Sequence, residues 1–231
     1  MRFNSDQIQK IGKEISSKVD GKTLFDEFSR GRYSTDASVY QIKPLGVVLP
    51  KDTNDVLSLM EYSQKNSVPL LARGGGSSQC GQTVGESVVL DYSKHQNKIL
   101  ELNVEEKYVW VQPGVVLDHL NAYLKPHGLW FPVDVSTSSR ATIGGMSANN
   151  SCGSRSLYYG NMVHNVLAIE AILDDGSIFN FDQINKNYLA TKNNQDRLYK
   201  IIDKFIDVRQ QVGGEIDANW PTTQRLSLIH I

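Results

Sequence analysis

The chain has 231 residues, of which 40% are hydrophobic and 21% are charged, as is ordinary for a globular protein. It carries 24 Lys and Arg against 25 Asp and Glu, a net charge of -1, so we expect no nucleic-acid partner and no polybasic membrane binding. The polar N-terminus is unlike a signal peptide, and no run approaches the roughly 18 apolar residues of a membrane span. We therefore expect no transmembrane segment and a cytoplasmic location, which the isolated Cys80 and Cys152 also fit.

The first elements predicted along the chain form a helical leader over residues 1–34. Three isoleucines recur at spacings of three and four, the period of an amphipathic helix, and three later apolar residues are expected to continue the same face. These residues are Ile8, Ile11 and Ile15, followed by Leu24, Phe25 and Phe28.

Short strands and helices follow the leader. Strands are expected over residues 41–49 (ending at Pro50), 68–72, 88–91, 99–102 and 108–112, and helices after the capping run 52–55, over 115–124 and over 196–212. Residues 166–173 and 178–181 flank Asp174-Asp175-Gly176, which is a strong hairpin signal. The regular alternation of a doubly wound parallel sheet is not maintained. The sequence therefore predicts an α+β fold with mixed or antiparallel sheets and flanking helices.

A glycine-rich run, Arg73-Gly74-Gly75-Gly76-Ser77-Ser78, directly follows a predicted buried strand. Consecutive glycines let backbone N–H groups converge on phosphate oxygens, with the serine hydroxyls as further donors, and a plain tight turn is the alternative. A P-loop is excluded because Gln82 stands at the lysine position and a strand follows instead of a helix. A Rossmann fold is excluded because no GxGxxG opens a helix.

A second segment, DVSTSSRATIGGMSANNSCGSRSLYYG at residues 134–160, is dense in Ser, Thr, Asn and Gly. It also contains Ile143, Met146 and Leu157, which argues against a disordered linker. Loops of this length inside a compact domain are uncommon unless they are functional, and an irregular surface loop is the alternative. A ligand with a pyrophosphate and a flat heteroaromatic ring would use both segments.

The order of these motifs resembles a known family. RGGGSS, then QPGVVLDHLNAYLKPHGLWFPVDVSTSSRATIGGMSANNSCGSRSLYYG, then VHNVLAIEAILDDG is similar to the FAD-binding domain of vanillyl-alcohol-oxidase-type (PCMH-type) flavoproteins, particularly the D-lactate dehydrogenase and glycolate oxidase group. The resemblance implies a two-subdomain FAD-binding domain over residues 35–221. The leader 1–34 precedes this domain. A tail at 222–231 looks foreign to it or truncated, and a genuine frayed terminus is the alternative.

The resemblance also assigns a set of residues to FAD. The glycine-rich run would wrap the pyrophosphate, and the second segment would follow the cofactor towards its flavin. The residues are Arg73, Gly74, Gly75, Gly76, Ser77 and Ser78 at the pyrophosphate; Pro132, Asp134, Ser138, Thr142, Gly144 and Gly145 along the diphosphate and ribityl chain; Asn149, Gly153, Tyr159 and Gly160 near the flavin; and Pro50 and Ile169 on the adenine side.

The chemistry implied by the resemblance is oxidation of a 2-hydroxy acid (of the D-lactate, glycolate or D-2-hydroxyglutarate type) to the 2-oxo acid. An iron–sulfur module and a quinone are candidate electron acceptors. Members with covalent FAD often carry a histidine where this chain has Ser77, so FAD is expected to bind non-covalently.

Catalytic groups come mostly from a C-terminal cap domain in that family, so no catalytic residue and no metal site is assigned. Arg140 and Arg155, the arginines nearest the flavin segment, are expected to make a structural ion pair or a phosphate contact, and contact with the substrate is the alternative for either. The chain is expected to be the FAD-binding portion of an oxidoreductase, inactive without the cap. A non-catalytic FAD-binding subunit completed by a partner chain is the alternative.

Overall fold

A four-stranded mixed sheet lies at the centre of the main hydrophobic core. The computed structural model describes residues 3–182 and 197–221. The strands are β1 (Lys22–Leu24), β2 (Gly46–Leu49), β3 (Leu70–Arg73) and β4 (Val88–Asp91), in the spatial order β1-β2-β4-β3. Strand β1 is antiparallel to β2, whereas β2, β4 and β3 are parallel. The carboxyl ends of these three strands therefore lie at one edge of the sheet.

The two central strands, β2 and β4, bury side chains on both faces of the sheet. Val48, Val88 and Leu90 pack in one cluster with helix α1 (Ser5–Ser16) and helix α3 (Thr53–Asn66). The alternate residues Val47 and Val89 pack in a second cluster. Successive side chains of a strand point to opposite faces, so these nearly continuous apolar runs place both strands in the interior.

The leader follows the sequence-based prediction only as far as α1. This helix buries the three predicted isoleucines in the main core. Beyond α1, Phe25 still packs against the main core, but the prediction is wrong for two residues: Leu24 lies in β1, and Phe28, in helix α2 (Glu27–Arg32), is 75% exposed. The Asp55 carboxylate accepts hydrogen bonds from the N–H groups of Asp20 and Gly21, which fixes the turn that leads into β1.

Two antiparallel hairpins and several short helices form the rest of the fold. Strand β5 (Ile99–Asn103) pairs with β6 (Tyr108–Val111), and β7 (Ile169–Ile172) pairs with β8 (Ile178–Phe181). Between the hairpins lie α4 (Leu117–Leu124), a 3-10 turn (Lys125–His127), α5 (Ile143–Ala148), α6 (Ser156–Tyr159) and α7 (Met162–Asn165). A smaller core is formed by Leu117, Val133, Ala141, Met146 and Met162.

Helix α8 (Arg197–Asn219) is the last described element. Leu198 and Ile202 are buried, and Arg197 forms ion pairs with Asp174 and Asp175 in the turn of the second hairpin. The helix extends seven residues beyond the predicted end at residue 212. None of the described helices combines the length and the apolar character needed to cross a membrane.

The architecture confirms the predicted α+β class with mixed and antiparallel sheets. The strand predicted over residues 41–49 begins only at Gly46, because Pro44 has no N–H to donate to a ladder. The helix predicted over residues 115–124 begins at Leu117, because Val116 is held in an antiparallel bridge with Thr142. The predicted tail, 222–231, lies outside the described residues.

Candidate functional site

The predicted site begins where the parallel strands end. Pro50 directly follows β2, and residues 74–78, defined here as the glycine loop, directly follow β3. The ladder register places Arg73 beside Asp91, the last residue of β4, so the loop leaves the sheet at its carboxyl edge. In open sheets with parallel strands this edge is the usual position of a ligand site.

The glycine loop lies directly against the second segment, as the sequence predicts for two halves of one site. A methyl group added at Gly74 would lie 2.1 Å from Thr142 Oγ1. A methyl group added at Gly75 would lie 2.2 Å from the carbonyl oxygen of Arg140. The two backbones approach so closely that only hydrogen fits at both positions.

Arg73 holds the loop to neighbouring parts of the chain. Its Nη1 donates hydrogen bonds to the carbonyl oxygens of Thr83 (3.1 Å) and Tyr33 (3.4 Å), and its Nη2 donates to that of Thr35 (2.9 Å). Gly76 has a φ of +64° next to this guanidinium, and a methyl group there would lie 2.4 Å from Nη2. The charge of Arg73 is therefore close to the loop, but its donors are directed at main-chain oxygens.

The backbone N–H groups of residues 74–78 form an unpaired row. Within residues 3–182 and 197–221, none of these five N–H groups has a hydrogen-bond acceptor. Gly75 is exposed and the other four residues are half-buried, so a ligand has access to the loop. Partly buried N–H groups without a partner are uncommon, and a converging set of them in a glycine-rich turn is suited to anion binding.

A chain of hydrogen bonds joins the glycine loop to the end of α5. The Ser78 hydroxyl donates to Gln82 Oε1 (2.6 Å), Gln82 Nε2 donates to Asn149 Oδ1 (3.1 Å), and Asn149 Nδ2 donates to Ser151 Oγ (3.0 Å). From the sequence, Gln82 was significant only as the residue in place of a P-loop lysine. No local pattern indicates its role, because its partner is 67 residues away.

Two predicted glycines of the second segment have partners inside the protein. Thr142 caps α5, and its hydroxyl accepts a hydrogen bond from the Gly145 N–H (3.3 Å). The Gly144 N–H donates to the carbonyl oxygen of Pro113 (2.9 Å), and a methyl group at Gly144 would lie 2.5 Å from Pro113 Cβ. Close packing against Pro113 therefore requires glycine at position 144.

Asp134 ties the start of the second segment to residues twenty positions later. Its carboxylate accepts hydrogen bonds from the Ser154 hydroxyl (2.6 Å) and the Arg155 N–H (3.0 Å), and Arg155 Nε lies 3.7 Å away. A methyl group at Gly153 would lie 2.1 Å from Asp134 Oδ1. Burial favours the neutral acid, but the hydrogen bonds and the Arg155 charge outweigh it and lower the pKa of Asp134. The ion pair confirms the structural role predicted for Arg155.

Tyr159 and Gly160 lie beside an exposed aromatic cluster at the end of α6. The Tyr159 ring packs edge-on against Trp130, with centroids 5.2 Å apart, and against Tyr158 at 4.7 Å. The Arg155 guanidinium lies over the Trp130 ring at 5.0 Å from its centroid. Gly160 has a φ of +79°, which allows the sharp turn into α7.

The remaining predicted residues lie on other parts of the fold. Pro132 is half-buried beside the smaller core, and the Ser138 carbonyl accepts a hydrogen bond from the Asp118 N–H (3.1 Å), which fixes the second segment to α4. Ile169 begins β7 and is 45% exposed. In the described part of the chain, no cluster of His, Cys, Asp or Glu side chains is arranged to hold a metal ion.

Comparison with known proteins identifies relatives of this chain. It is 42% identical to the D-2-hydroxyglutarate dehydrogenase of Haemophilus influenzae over 155 residues, which cover 66% of this chain and 15% of that protein. It is 37% identical to the glycolate oxidase subunit GlcD of Bacillus subtilis over 176 residues, which cover 74% of this chain and 37% of that protein. The chain thus spans well under half the length of these two relatives.

The fold and a family profile agree with these relatives. The wild-type BBE-like 1 protein of Physcomitrella patens has a similar fold, with a TM-score of 0.65 and 20% identity over 81% of this chain and 39% of that one. The profile described as FAD binding domain matches residues 44–182, which include both the glycine loop and the second segment. The chain therefore belongs to the FAD binding domain family, whose cofactor is FAD, and this confirms the resemblance drawn from its motifs.

Proposed function

We propose that residues 35–221 bind FAD non-covalently, with the FAD diphosphate on the glycine loop. The observation that carries the proposal is the row of N–H groups of residues 74–78, which have no acceptor among the described residues. A diphosphate supplies the oxygen acceptors that these donors lack. The absence of side chains at Gly74 and Gly75 lets the second segment pack directly on the loop, while the loop N–H groups keep no acceptor among the described residues, so the residues present fit the cofactor.

The second segment supplies the rest of the proposed site. Thr142 contacts the loop at Gly74, and Asn149 is joined to Ser78 through Gln82. Both contacts put the second segment at the border of the loop, which supports one continuous site rather than two. On this basis we assign the ribityl and flavin portions of FAD to the second segment.

We further propose that this FAD-binding unit serves in the oxidation of a 2-hydroxy acid to a 2-oxo acid. The two relatives are named for D-2-hydroxyglutarate and glycolate, and both substrates are 2-hydroxy acids. FAD would supply the redox chemistry when it is bound, as the two-electron acceptor for the carbinol group. The chain itself binds and orients the cofactor: the loop N–H groups hold the diphosphate, while Arg73 and Gln82 fix the position of the loop.

A second candidate is a FAD-binding subunit that turns over only with a partner chain. The name of the Bacillus subtilis relative, a glycolate oxidase subunit, favours it. In either case electrons pass to an acceptor, for which an iron–sulfur module or a quinone is proposed. The free thiols of Cys80 and Cys152 suit a reducing compartment, and we place the protein in the cytoplasm.

FAD binding is tested with the purified 231-residue protein. It is mixed with excess FAD and desalted, and its visible absorption spectrum is recorded. We expect retained flavin bands, with all the flavin released to the supernatant on acid precipitation because the link is non-covalent. ADP is expected to compete with FAD while adenosine is not, because only ADP carries a diphosphate. A protein that is folded by circular dichroism but retains no flavin contradicts the proposal.

Turnover is tested with the FAD-loaded protein and an artificial dye as electron acceptor. D-2-hydroxyglutarate, glycolate and D-lactate are each supplied, and formation of the 2-oxo acid is followed with the dye. We expect no oxidation by this chain alone, because catalytic groups in the resembled family come mostly from a C-terminal cap domain. Oxidation by a longer product that carries a cap domain in the same chain supports the first candidate, whereas oxidation that requires a separately supplied partner chain supports the second.

A further inference from the structure

A diphosphate on the glycine loop brings negative charge that the loop alone does not balance. Peptide N–H groups are dipoles without formal charge, and residues 74–83 contain no lysine or arginine. A balancing cation must therefore come from a residue that packs on the loop. The inference that follows rests on the proposed function, because it takes FAD as the ligand.

Two of the three arginines around the site already have partners. Arg73 donates to three main-chain carbonyl oxygens, those of residues 33, 35 and 83. Arg155 is paired with Asp134 and lies over the Trp130 ring. Redirecting either guanidinium to a ligand would break these contacts.

Arg140 is the third arginine, and its side chain is exposed. No hydrogen bond, ion pair or ring contact joins its guanidinium to any residue of 3–182 or 197–221. Its main chain touches the glycine loop, since a methyl group at Gly75 would lie 2.2 Å from its carbonyl oxygen. The residue that carries this uncommitted cation therefore has its main chain against the loop with the unpaired N–H groups.

We propose that Arg140 provides the cation that binds the FAD diphosphate, reaching from the second segment to the glycine loop. A guanidinium donates two parallel hydrogen bonds to phosphate oxygens and stays charged at every relevant pH. The carboxylate of a 2-hydroxy acid is the other anion that Arg140 can meet. The contact with Gly75, in the loop whose N–H groups are unpaired, favours the diphosphate.

The test measures FAD dissociation constants by flavin fluorescence for four proteins. These are the wild type, Arg140→Gln, Arg140→Lys and the control Arg209→Gln. Arg209 lies on α8, where it pairs with Asp217, so its replacement removes the same charge from an element outside both segments. Circular dichroism establishes that each variant is folded.

We expect Arg140→Gln to weaken FAD binding about tenfold, which corresponds to about 1.4 kcal/mol. Arg140→Lys keeps the charge without the paired donors, so a smaller loss of about threefold is expected. Arg209→Gln is expected to match the wild type. Raising the salt from a low level to about 0.5 M should weaken FAD binding to the wild type more than to Arg140→Gln, because salt screens the charge contact.

Other outcomes overturn the inference in distinguishable ways. If the wild type binds FAD and Arg140→Gln binds it equally well, Arg140 is not a diphosphate ligand. Unchanged FAD affinity with weaker binding of the hydroxy acid to the FAD-loaded protein would assign Arg140 to the substrate carboxylate instead. If the folded wild type binds no FAD, the proposed function itself fails, and the assignment of Arg140 fails with it.

Discussion

Gly75→Ala tests the close approach between the glycine loop and the second segment. The added methyl group would lie 2.2 Å from the Arg140 carbonyl oxygen and 2.9 Å from the carbonyl carbon. Both atoms belong to the main chain, so no side-chain rotation relieves the contact. The two backbones must separate by about 1 Å before ordinary van der Waals distances are reached.

The size of the effect follows from this displacement. Forcing one extra carbon into a close-packed contact destabilises a protein by about 1–3 kcal/mol, and each kcal/mol lowers Tm by about 2–4 °C in a chain of this size. A shift of about 1 Å also takes loop N–H groups out of hydrogen-bonding range of a phosphate held against them. We therefore expect the FAD dissociation constant to rise at least tenfold, the equivalent of losing about one charge-assisted hydrogen bond.

Gly85→Ala is the matched control, because it makes the same chemical change on the same connection between β3 and β4. Its methyl group would lie 3.5 Å from Leu71 Cδ2 and 3.7 Å from Ser87 Oγ, which are ordinary contacts. Thermal melts and FAD titrations of both variants are compared with the wild type. Wild-type stability and affinity in Gly75→Ala, or equal losses in the two variants, would refute this reasoning.

Two further predictions concern the contact between the glycine loop and the second segment and the contacts of Asp134 within the second segment. Gln82→Met removes the hydrogen-bonded link to Asn149, so FAD should bind about threefold to fivefold more weakly. The control is Gln79→Met, at an exposed glutamine with no hydrogen bond to a described residue, and it should leave the FAD dissociation constant unchanged. Equal titration curves for the two variants would contradict this role of Gln82. Asp134→Asn should lower the free energy of unfolding at pH 7 by about 1 kcal/mol, because the folded state depresses the pKa of Asp134 and so favours the ionised form. The difference in the free energy of unfolding between the wild type and Asp134→Asn should shrink as the pH falls through that lowered pKa. Parallel pH profiles of stability for the two proteins would contradict this role of Asp134.

Much of the fold follows from local sequence patterns. The strands at residues 88–91 and 178–181 are found at the predicted bounds, because each is a short apolar or aromatic run between turn residues. Strand β1 was not predicted: its three residues show no alternation, and the strand exists only because it pairs with β2, more than twenty residues away. Helix α5 was not predicted either, because Gly144 and Gly145 have low helix propensity and Thr142 gains its capping role from tertiary context.

For the candidate site, too, some features were predicted from the sequence and others were not. Residue types predicted that the glycine loop and the second segment belong to one site; the structure places Gly74 against Thr142, and the shared site itself stays a prediction. The partners of individual groups did not follow from the sequence. Arg73 donates to main-chain oxygens up to forty residues away, and the Gly144 N–H is used by Pro113. Which donors stay free depends on these distant contacts.

The glycine loop also forms part of a strand connection. Residues 74–87 leave β3 and return to β4, its parallel neighbour in the same sheet. Both ends of this connection are thus fixed in the main core, and pulling them apart amounts to unfolding the sheet. Cofactor binding is then linked to global unfolding: FAD at 100 times its Kd would stabilise the folded chain by about 2.7 kcal/mol. The supply of FAD would in this way govern how much of the protein a cell keeps, since unfolded chains are the ones that proteases remove.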